Sequence, residues 1–289
     1  LLESEGYSNI IFKTSSELDL RNQRAVINFF NDEKPEFVFL AAAKVGGINA
    51  NNIYRADFIY DNLMMECNII KAAHDEKVKK LLFLGSSCIY PKMASQPMKE
   101  ESLLTGLLEE TNEPYAIAKI AGIKLCENYK SQYNDNFISA MPTNLYGPND
   151  NYDLKSSHFF PALIKKIYLA KKKKINKISV WGTGKPKREL MHVDDMADAC
   201  IYFFKKKTKE TLINIGIGKD RKIIEYVNFL KKKMKFNGKI AFDKSKPDGT
   251  MRKLVDTSIA RKYGWKPKIS LSKGFELTYR SFLELKENN

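Results

Sequence analysis

Three short, continuous apolar runs mark the first half of the chain: residues 37–41 (FVFLA), 81–85 (LLFLG) and 138–141 (ISAM). Each follows a stretch of helical periodicity, and none alternates cleanly between apolar and polar positions. Continuous apolar strands separated by helices indicate a parallel sheet covered on both faces. The intervening helices are expected at 57–75 and 112–133, the second with Pro114 near its start, where a missing N–H costs nothing. A strand at 9–13 followed by a helix around 21–31 extends the alternation toward the N-terminus. The expected fold is therefore α/β, a Rossmann-like doubly wound parallel sheet.

After Gly147 the chain becomes richer in lysine and loops. Helices are expected near 158–172, 194–206, 221–233 and 270–284, with short strands at 178–181, 212–215 and 239–242. This pattern suggests a nucleotide-binding domain over 1–147 and a smaller substrate-binding domain over 148–289, with some segments of the second half free to return to the main sheet. A dinucleotide fold opens with a strand and a Gly-rich turn that receives the pyrophosphate on backbone N–H groups. No such turn precedes Asn9. The opening LLESEGY reads as the tail of a helix capped by Gly6. The expectation is that the first strand, its turn and most of the first helix, roughly twenty residues, lie outside these 289.

Composition narrows the class. With 43% hydrophobic and 29% charged residues the chain is an ordinary globular sequence rather than a disordered one. No apolar run approaches the ~18 residues of a membrane span, and no secretory leader is visible, so no membrane partner is expected. Four cysteines, Cys67, Cys88, Cys126 and Cys200, show neither metal spacing nor disulfide density, which suits a reducing, cytoplasmic setting with no metal. The formal charge of +15 invites a polyanion or a phosphate-bearing substrate. Yet the lysine runs 171–174, 205–207 and 231–233 all close expected helices, where cations complement the helix dipole and stay solvated. Clustered arginines or interleaved aromatics are not evident, so nucleic acid is not expected as a partner.

In doubly wound sheets ligands bind beyond the carboxyl ends of the strands. The residues following the three runs are 42–47 (AAKVGG), 86–91 (SSCIYP) and 142–148 (PTNLYGP), all small, hydroxyl-bearing or turn-forming. Tyr115 and Lys119 lie one helical turn apart on one face, 29 residues beyond Ser86. The same spacing at Tyr168/Lys172 and Tyr202/Lys206 shows that the pair alone means little. Its place after the strand ending in Ser86-Ser87-Cys88 makes it a candidate site. A nearby cation favours phenolate, so Lys119 is expected to lower the Tyr115 pKa and ready it for proton exchange with a carbonyl that a serine hydroxyl holds.

These residues, with the strings AAAKVGG, LGSSCIYP, NEPYAIAKIAG, MPTNLYGP, HVDDMA and SKPDGT, resemble the extended short-chain dehydrogenase/reductase superfamily and, within it, the GDP-L-fucose synthase family. The likeness spans nearly the whole chain and is weakest at 171–177 and 205–237. It implies a homodimeric, NADP(H)-dependent enzyme acting on a GDP-sugar, which inverts C3 and C5 of a 4-keto sugar and then reduces C4. It implies Ser86 and Tyr115 at the C4 oxygen, Lys119 at the nicotinamide ribose, and Cys88 with His158 as the epimerisation pair. On residue type alone Cys88 reads as a small buried hydrophobe, and His158 as an ordinary helix-start residue. The likeness also implies Leu84, Gly85, Ser86, Ser87, Lys119, Pro142, Thr143, Asn144, Leu145 and His158 around the nicotinamide. Ala42 and Ala43 fall further along the cofactor, and Lys13, Ser15 and Ser16 near its adenosine. Lys166, Trp181, Arg188, Asp248 and Lys253 match positions that hold the GDP-sugar. Lys166 stands where relatives often carry arginine, and some relatives carry arginine near Ser15 and Ser16. Two other readings stay open: a related nucleotide-sugar epimerase or dehydratase, and a catalytically impaired binding protein.

Overall fold

The computed structural model describes residues 1–154, 156–246 and 248–287. Helix α1 (Gln23–Glu33) leads into strand β1 (Phe37–Leu40), followed by the short α2 (Ile48–Ile53), the long α3 (Arg55–Asp75) and β2 (Lys80–Leu84). After a loop region come α4 (Glu113–Tyr133), β3 (Phe137–Pro142) and the short β4 (Asn144–Tyr146). The second half contributes α5 (Phe159–Lys172), β5 (Lys177–Trp181), β6 (Lys187–Arg188), β7 (Leu190–His192), α6 (Val193–Lys205) and β8 (Leu212–Ile215). It closes with β9 (Arg221–Lys222), α7 (Ile223–Lys233), β10 (Lys239–Asp243), β11 (Arg252–Lys253), α8 (Ser258–Lys262) and α9 (Leu271–Glu287).

The main sheet is parallel, in the order β1-β2-β3-β8. Its apolar runs are continuous because both faces are covered. Leu81 and Phe83 of β2 point into a core with Phe30, Ile70 and Ile123, from α1, α3 and α4. Leu82 between them joins the opposite core with Met196 and Phe203 of α6 and with Trp265. Strand β8 comes from the second half and pairs with β3, so the chain returns to the main sheet. A third core, built from α5, α7, α9, β5 and β10, gathers Phe160, Ile164, Tyr226 and Phe282. Lysines 172, 205 and 233 each end a helix.

One N-terminal expectation is corrected. Residues 9–13 are not a strand: among the described residues nothing pairs with them, and Phe12 is 80% exposed. Apolar content alone does not make a strand, because its N–H and C=O groups need a neighbouring ladder. The opening residues form one 3₁₀ turn, Glu3–Glu5, ended by Gly6 at φ 88°.

Buried polar anchors fix the loops at the carboxyl ends of the strands. Fully buried Asn62 on α3 accepts from the Lys44 N–H at 2.8 Å and donates to the Lys44 carbonyl at 3.1 Å, holding the turn after β1. Glu189, between β6 and β7, is sealed from solvent and accepts from the N–H groups of Gly218 at 2.7 Å and Val255 at 3.0 Å. It thereby ties the turn after β8 to the segment following β11. Deleting a buried acceptor leaves its donors unpaired, so Glu189→Ala is expected to lower the unfolding free energy by ~2–5 kcal/mol. Urea denaturation checks this, and a loss below ~0.5 kcal/mol would show that water replaces the carboxylate.

Candidate active site

Strand β2 ends at Leu84, and Gly85, Ser86 and a 3₁₀ turn over Ser87–Ile89 follow directly. That turn brings Ser86 and Cys88 back across the strand end. Helix α4 starts with Pro114 in its first turn and carries Tyr115 over the same point. The Ser86 hydroxyl lies near enough to the Tyr115 phenol and the Cys88 thiol to favour the ionised form of each. Serine, thiol and phenol thus share one neighbourhood at the strand end. Cys88 is 6% exposed, beneath the half-buried Ser86 and Tyr115.

Lys119, one turn further along α4, points into the protein. Its Nζ lies 3.0 Å from Glu66 Oε1 on α3, donates to the Leu84 carbonyl at 3.0 Å, and sits 4.5 Å from the centre of the Phe83 ring. Both side chains of the pair are at most 2% exposed. Gly122 makes room for this: a Cβ there would sit 2.6 Å from Phe83 Cζ and 2.8 Å from Glu66 Oε2.

The expected lowering of the Tyr115 pKa is not seen. Burial pushes the phenol up, the negative charges that Cys88 and Glu66 can carry push it further, and only the Ser86 hydroxyl opposes them. The first reason is burial, and Lys119 does not offset it because its ammonium is held against a carboxylate. Burial in turn raises the Glu66 carboxyl to about 7, against the pull of Lys119. Cys88 also departs from expectation. Rather than shifting modestly toward thiolate, it is pushed up by burial, with Lys253, Ser86 and Lys119 pulling it back. His158 is pushed down by the cleft around it and by Lys253. At neutral pH the free site therefore holds a thiol and a neutral imidazole.

Beside this cluster opens a cleft of about 310 Å³ lined by His158, Asn144 and all five positions expected to hold substrate: Lys166, Trp181, Arg188, Asp248 and Lys253. Ser86, Cys88 and Tyr115 are not in its wall. Lys253 joins the two regions, since it lines the cleft and acts electrostatically on both Cys88 and His158. Its position follows from strand pairing, because β11 lies parallel to β6 with Lys253 opposite Arg188. Arg188 Nη1 donates to the Lys187 carbonyl at 2.8 Å, and burial lowers the pKa values of both cations. Lys166 Nζ donates to the Ser179 carbonyl at 3.0 Å. Trp181 is 53% exposed, with Lys246 Nζ 5.6 Å from the centre of its ring. The Asp248 carboxylate is taken up by Thr183, from its N–H at 2.6 Å and its hydroxyl at 2.7 Å, so it shapes the wall. Gly182, at φ 78°, passes so close to Asp248 that a side chain would collide with it.

The positions expected around a dinucleotide divide between regions. Leu84, Gly85, Ser86 and Ser87 line the strand end. Thr143 and Asn144 are anchored on the Glu189 carbonyl, at 3.3 and 3.1 Å, flanked by Pro142 and Leu145. Ala42, Ala43, Lys13 and Ser15 border a second, larger cavity of about 1390 Å³ along the free edge of β1. Ser16 is hydrogen-bonded to Thr14 at 2.9 Å, away from that wall. The cavity along β1, walled by small residues and hydroxyls, has the size and lining that the adenosine side of an NADP(H) molecule needs.

Sequence reasoning missed several polar groups. Asn51 Oδ1, Asn112 Oδ1 and Ser157 Oγ are sealed from solvent and have no hydrogen-bond partner among the described residues, and all three residues line the cleft. An asparagine within GGINANN and another just before EPY were the available signals. Glu66 was also missed, although an acid between apolar positions on an expected buried helix face is itself a signal that a cation lies opposite.

Comparison with known proteins agrees with this geometry. Residues 2–216 match the NAD dependent epimerase/dehydratase family. The chain is 52% identical to GDP-L-fucose synthase 1 of Arabidopsis thaliana, over 98% of this chain and 88% of that protein. It is also 52% identical to GDP-L-fucose synthase of Escherichia coli (strain K12), over 98% and 91%. Among solved structures, MlghC, GDP-mannoheptose C4 reductase from Campylobacter jejuni with NADP bound, is 39% identical. It superposes with a TM-score of 0.89 over 98% of this chain and 93% of that one.

A buried, protonated thiol is a poor nucleophile. Cys88 in the native protein should therefore react with iodoacetamide at pH 7.5 at least about tenfold more slowly than in the urea-unfolded chain. Mass mapping of timed samples measures this, and equal rates would contradict the geometry.

Proposed function

Because the chain belongs to the NAD dependent epimerase/dehydratase family, we propose that it is a GDP-L-fucose synthase. It converts GDP-4-keto-6-deoxy-D-mannose to GDP-L-fucose by 3,5-epimerisation and NADPH-dependent reduction at C4. The observation that carries this reading is a hydroxyl, a thiol and a phenol, Ser86, Cys88 and Tyr115, close enough to act on one another at the end of β2 beside the cation-lined cleft. The 52% identity to two GDP-L-fucose synthases supports it.

In this mechanism Arg188, Lys166 and Lys253 hold the diphosphate side of the substrate, and Ser86 and Tyr115 hold the C4 oxygen. The ketone acidifies the C–H bonds at C3 and C5. Either Cys88 or His158 takes a proton from carbon, the electron pair moves onto the C4 oxygen, and the other residue returns a proton to the opposite face. The resting thiol and neutral imidazole hold one mobile proton between them, and Lys253 favours the thiolate when that proton leaves Cys88. NADPH, when bound, supplies the hydride to C4. Tyr115 gives its phenolic proton to the C4 oxygen, and Lys119 faces the phenolate that results.

We assign residues 1–147 to the cofactor and 148–289 to the substrate, with β8 returning to the main sheet. A preference for NADP over NAD rests on Lys13 and Ser15, which border the larger cavity, with Ser16 turned to Thr14. A homodimer joined through α3 and α4 is supported by Tyr60, 61% exposed, and Ile117, 41% exposed, on those helices. Four free thiols suit a cytoplasmic setting. A second reading, reduction of a different GDP-linked sugar, is favoured by the 39% identity to a GDP-mannoheptose C4 reductase.

The full chain should consume the 340 nm absorbance of NADPH when given the keto sugar. Tyr115→Phe should lower kcat by ~10²–10⁴-fold while the protein remains folded. An unimpaired Tyr115→Phe enzyme would remove the phenol from the reaction, and a wild type that turns over only a GDP-heptose would establish the second reading. In D₂O, Cys88→Ser is expected to incorporate less deuterium at C3 and C5 while retaining more of its C4 reduction. Unchanged exchange would exclude the thiol.

A further inference from the structure

The reduction needs Tyr115 as an acid, yet a buried ammonium one turn away pulls a phenol toward its anion. The molecule places a carboxylate behind that ammonium. Glu66 Oε1 lies 3.0 Å from Lys119 Nζ, both side chains are at most 2% exposed, and the Leu84 carbonyl accepts from the same nitrogen. Among the described residues neither Glu66 oxygen has a well-aligned hydrogen-bond donor, so the ion pair with Lys119 is what holds this carboxylate. Glu66 is absent from the wall of the substrate cleft and belongs to the far side of Lys119.

We propose that Glu66 is a positioning residue. It fixes the Lys119 ammonium against the carbonyl end of β2 and offsets its charge, so that Tyr115 enters the reduction as a neutral, proton-donating phenol. The proposal rests on the reductase reading above. The titratable groups near the carboxylate are few. Lys119, Tyr115 and Cys126 face it from α4, Cys67 adjoins it on α3, and Cys88 acts on the phenol from the turn after β2. The packed strand β2 offers Phe83 and the Leu84 carbonyl, while its one ionisable side chain, Lys80, is held by the carbonyls of Phe203, Phe204 and Lys206. In the alkaline range Glu66 is ionised, since burial raises its carboxyl only to about 7. Its negative charge is then fully present where Tyr115 would begin to lose its proton.

The sign of the effect follows. Removing the Glu66 charge leaves Lys119 unopposed, favours phenolate, and brings the alkaline loss of activity to lower pH. The test is the pH profile of kcat for NADPH-dependent reduction in the wild-type full chain, Glu66→Gln and Glu66→Asp, with folding verified by circular dichroism. In Glu66→Gln the alkaline fall should begin about one pH unit lower, with KM for the GDP-sugar changed less than twofold. Glu66→Asp, which keeps the charge but draws it back, should lie between the two, and it carries the test if the glutamine variant does not fold. A merely structural Glu66 would lower kcat equally at every pH. An alkaline limb unmoved in a folded variant therefore overturns the proposal. If the wild type oxidises no NADPH, the functional reading itself fails and the role of Glu66 falls with it.

Discussion

A lysine ammonium sealed from water must find its compensation inside the protein, and the architecture of this site follows from how Lys119 finds it. An isolated buried charge costs several kcal/mol after relaxation, which a nearby carboxylate and a carbonyl can offset. Here the carboxylate comes from α3 and the carbonyl from the end of β2, while the lysine itself belongs to α4. Three elements are thereby fixed to one another at the point where ligands enter a doubly wound sheet. The close approach has a steric condition, met at Gly122, where any larger residue would strike Phe83 and Glu66.

Electrostatically the site is a balance of buried groups held near neutrality. Burial raises the phenol and the thiol and lowers the imidazole, so every candidate proton carrier rests uncharged. The opposing fields come from two lysines in different places. Lys119 lies beneath the phenol and is matched by Glu66. Lys253 stands at the junction of the cluster and the cleft, delivered by the pairing of β11 with β6, and acts on thiol and imidazole together. Proton movement between neutral partners suits a sequence of enolisation and reduction, because neither step has to begin from a charge stranded in a low-dielectric pocket.

The sheet was legible from the sequence because parallel strands covered on both faces leave an unmistakable record of uninterrupted apolar residues. FVFLA, LLFLG and ISAM became β1, β2 and β3 for that reason. The return of residues 212–215 to the main sheet was allowed for, though no local signal demands it. Residues 9–13 misled because NIIFK satisfies strand propensity, whereas a strand exists only with a partner. At the site, Tyr115, Lys119, Ser86 and Cys88 were legible through their place after a strand. Their protonation was not, because a pKa depends on burial and on Glu66, 53 residues away from Lys119 in sequence. Asn51, Asn112 and Ser157 escaped notice because asparagine and serine in loops ordinarily face water, and only the folded chain leaves their oxygens sealed and unpaired.

The central claim is that one cluster of hydroxyl, thiol and phenol serves both proton exchange at carbon and reduction of the same ketone. Its most direct test is the origin of each hydrogen in the product. The full chain is given GDP-4-keto-6-deoxy-D-mannose and NADPH deuterated at the transferable position of the nicotinamide, in ordinary water, and the product is read by NMR. The account predicts deuterium at C4 alone, with protium at inverted C3 and C5 centres. Deuterium at C4 with the C3 and C5 centres of the substrate retained would contradict it, because the thiol and imidazole would then have no part in the chemistry of this cleft.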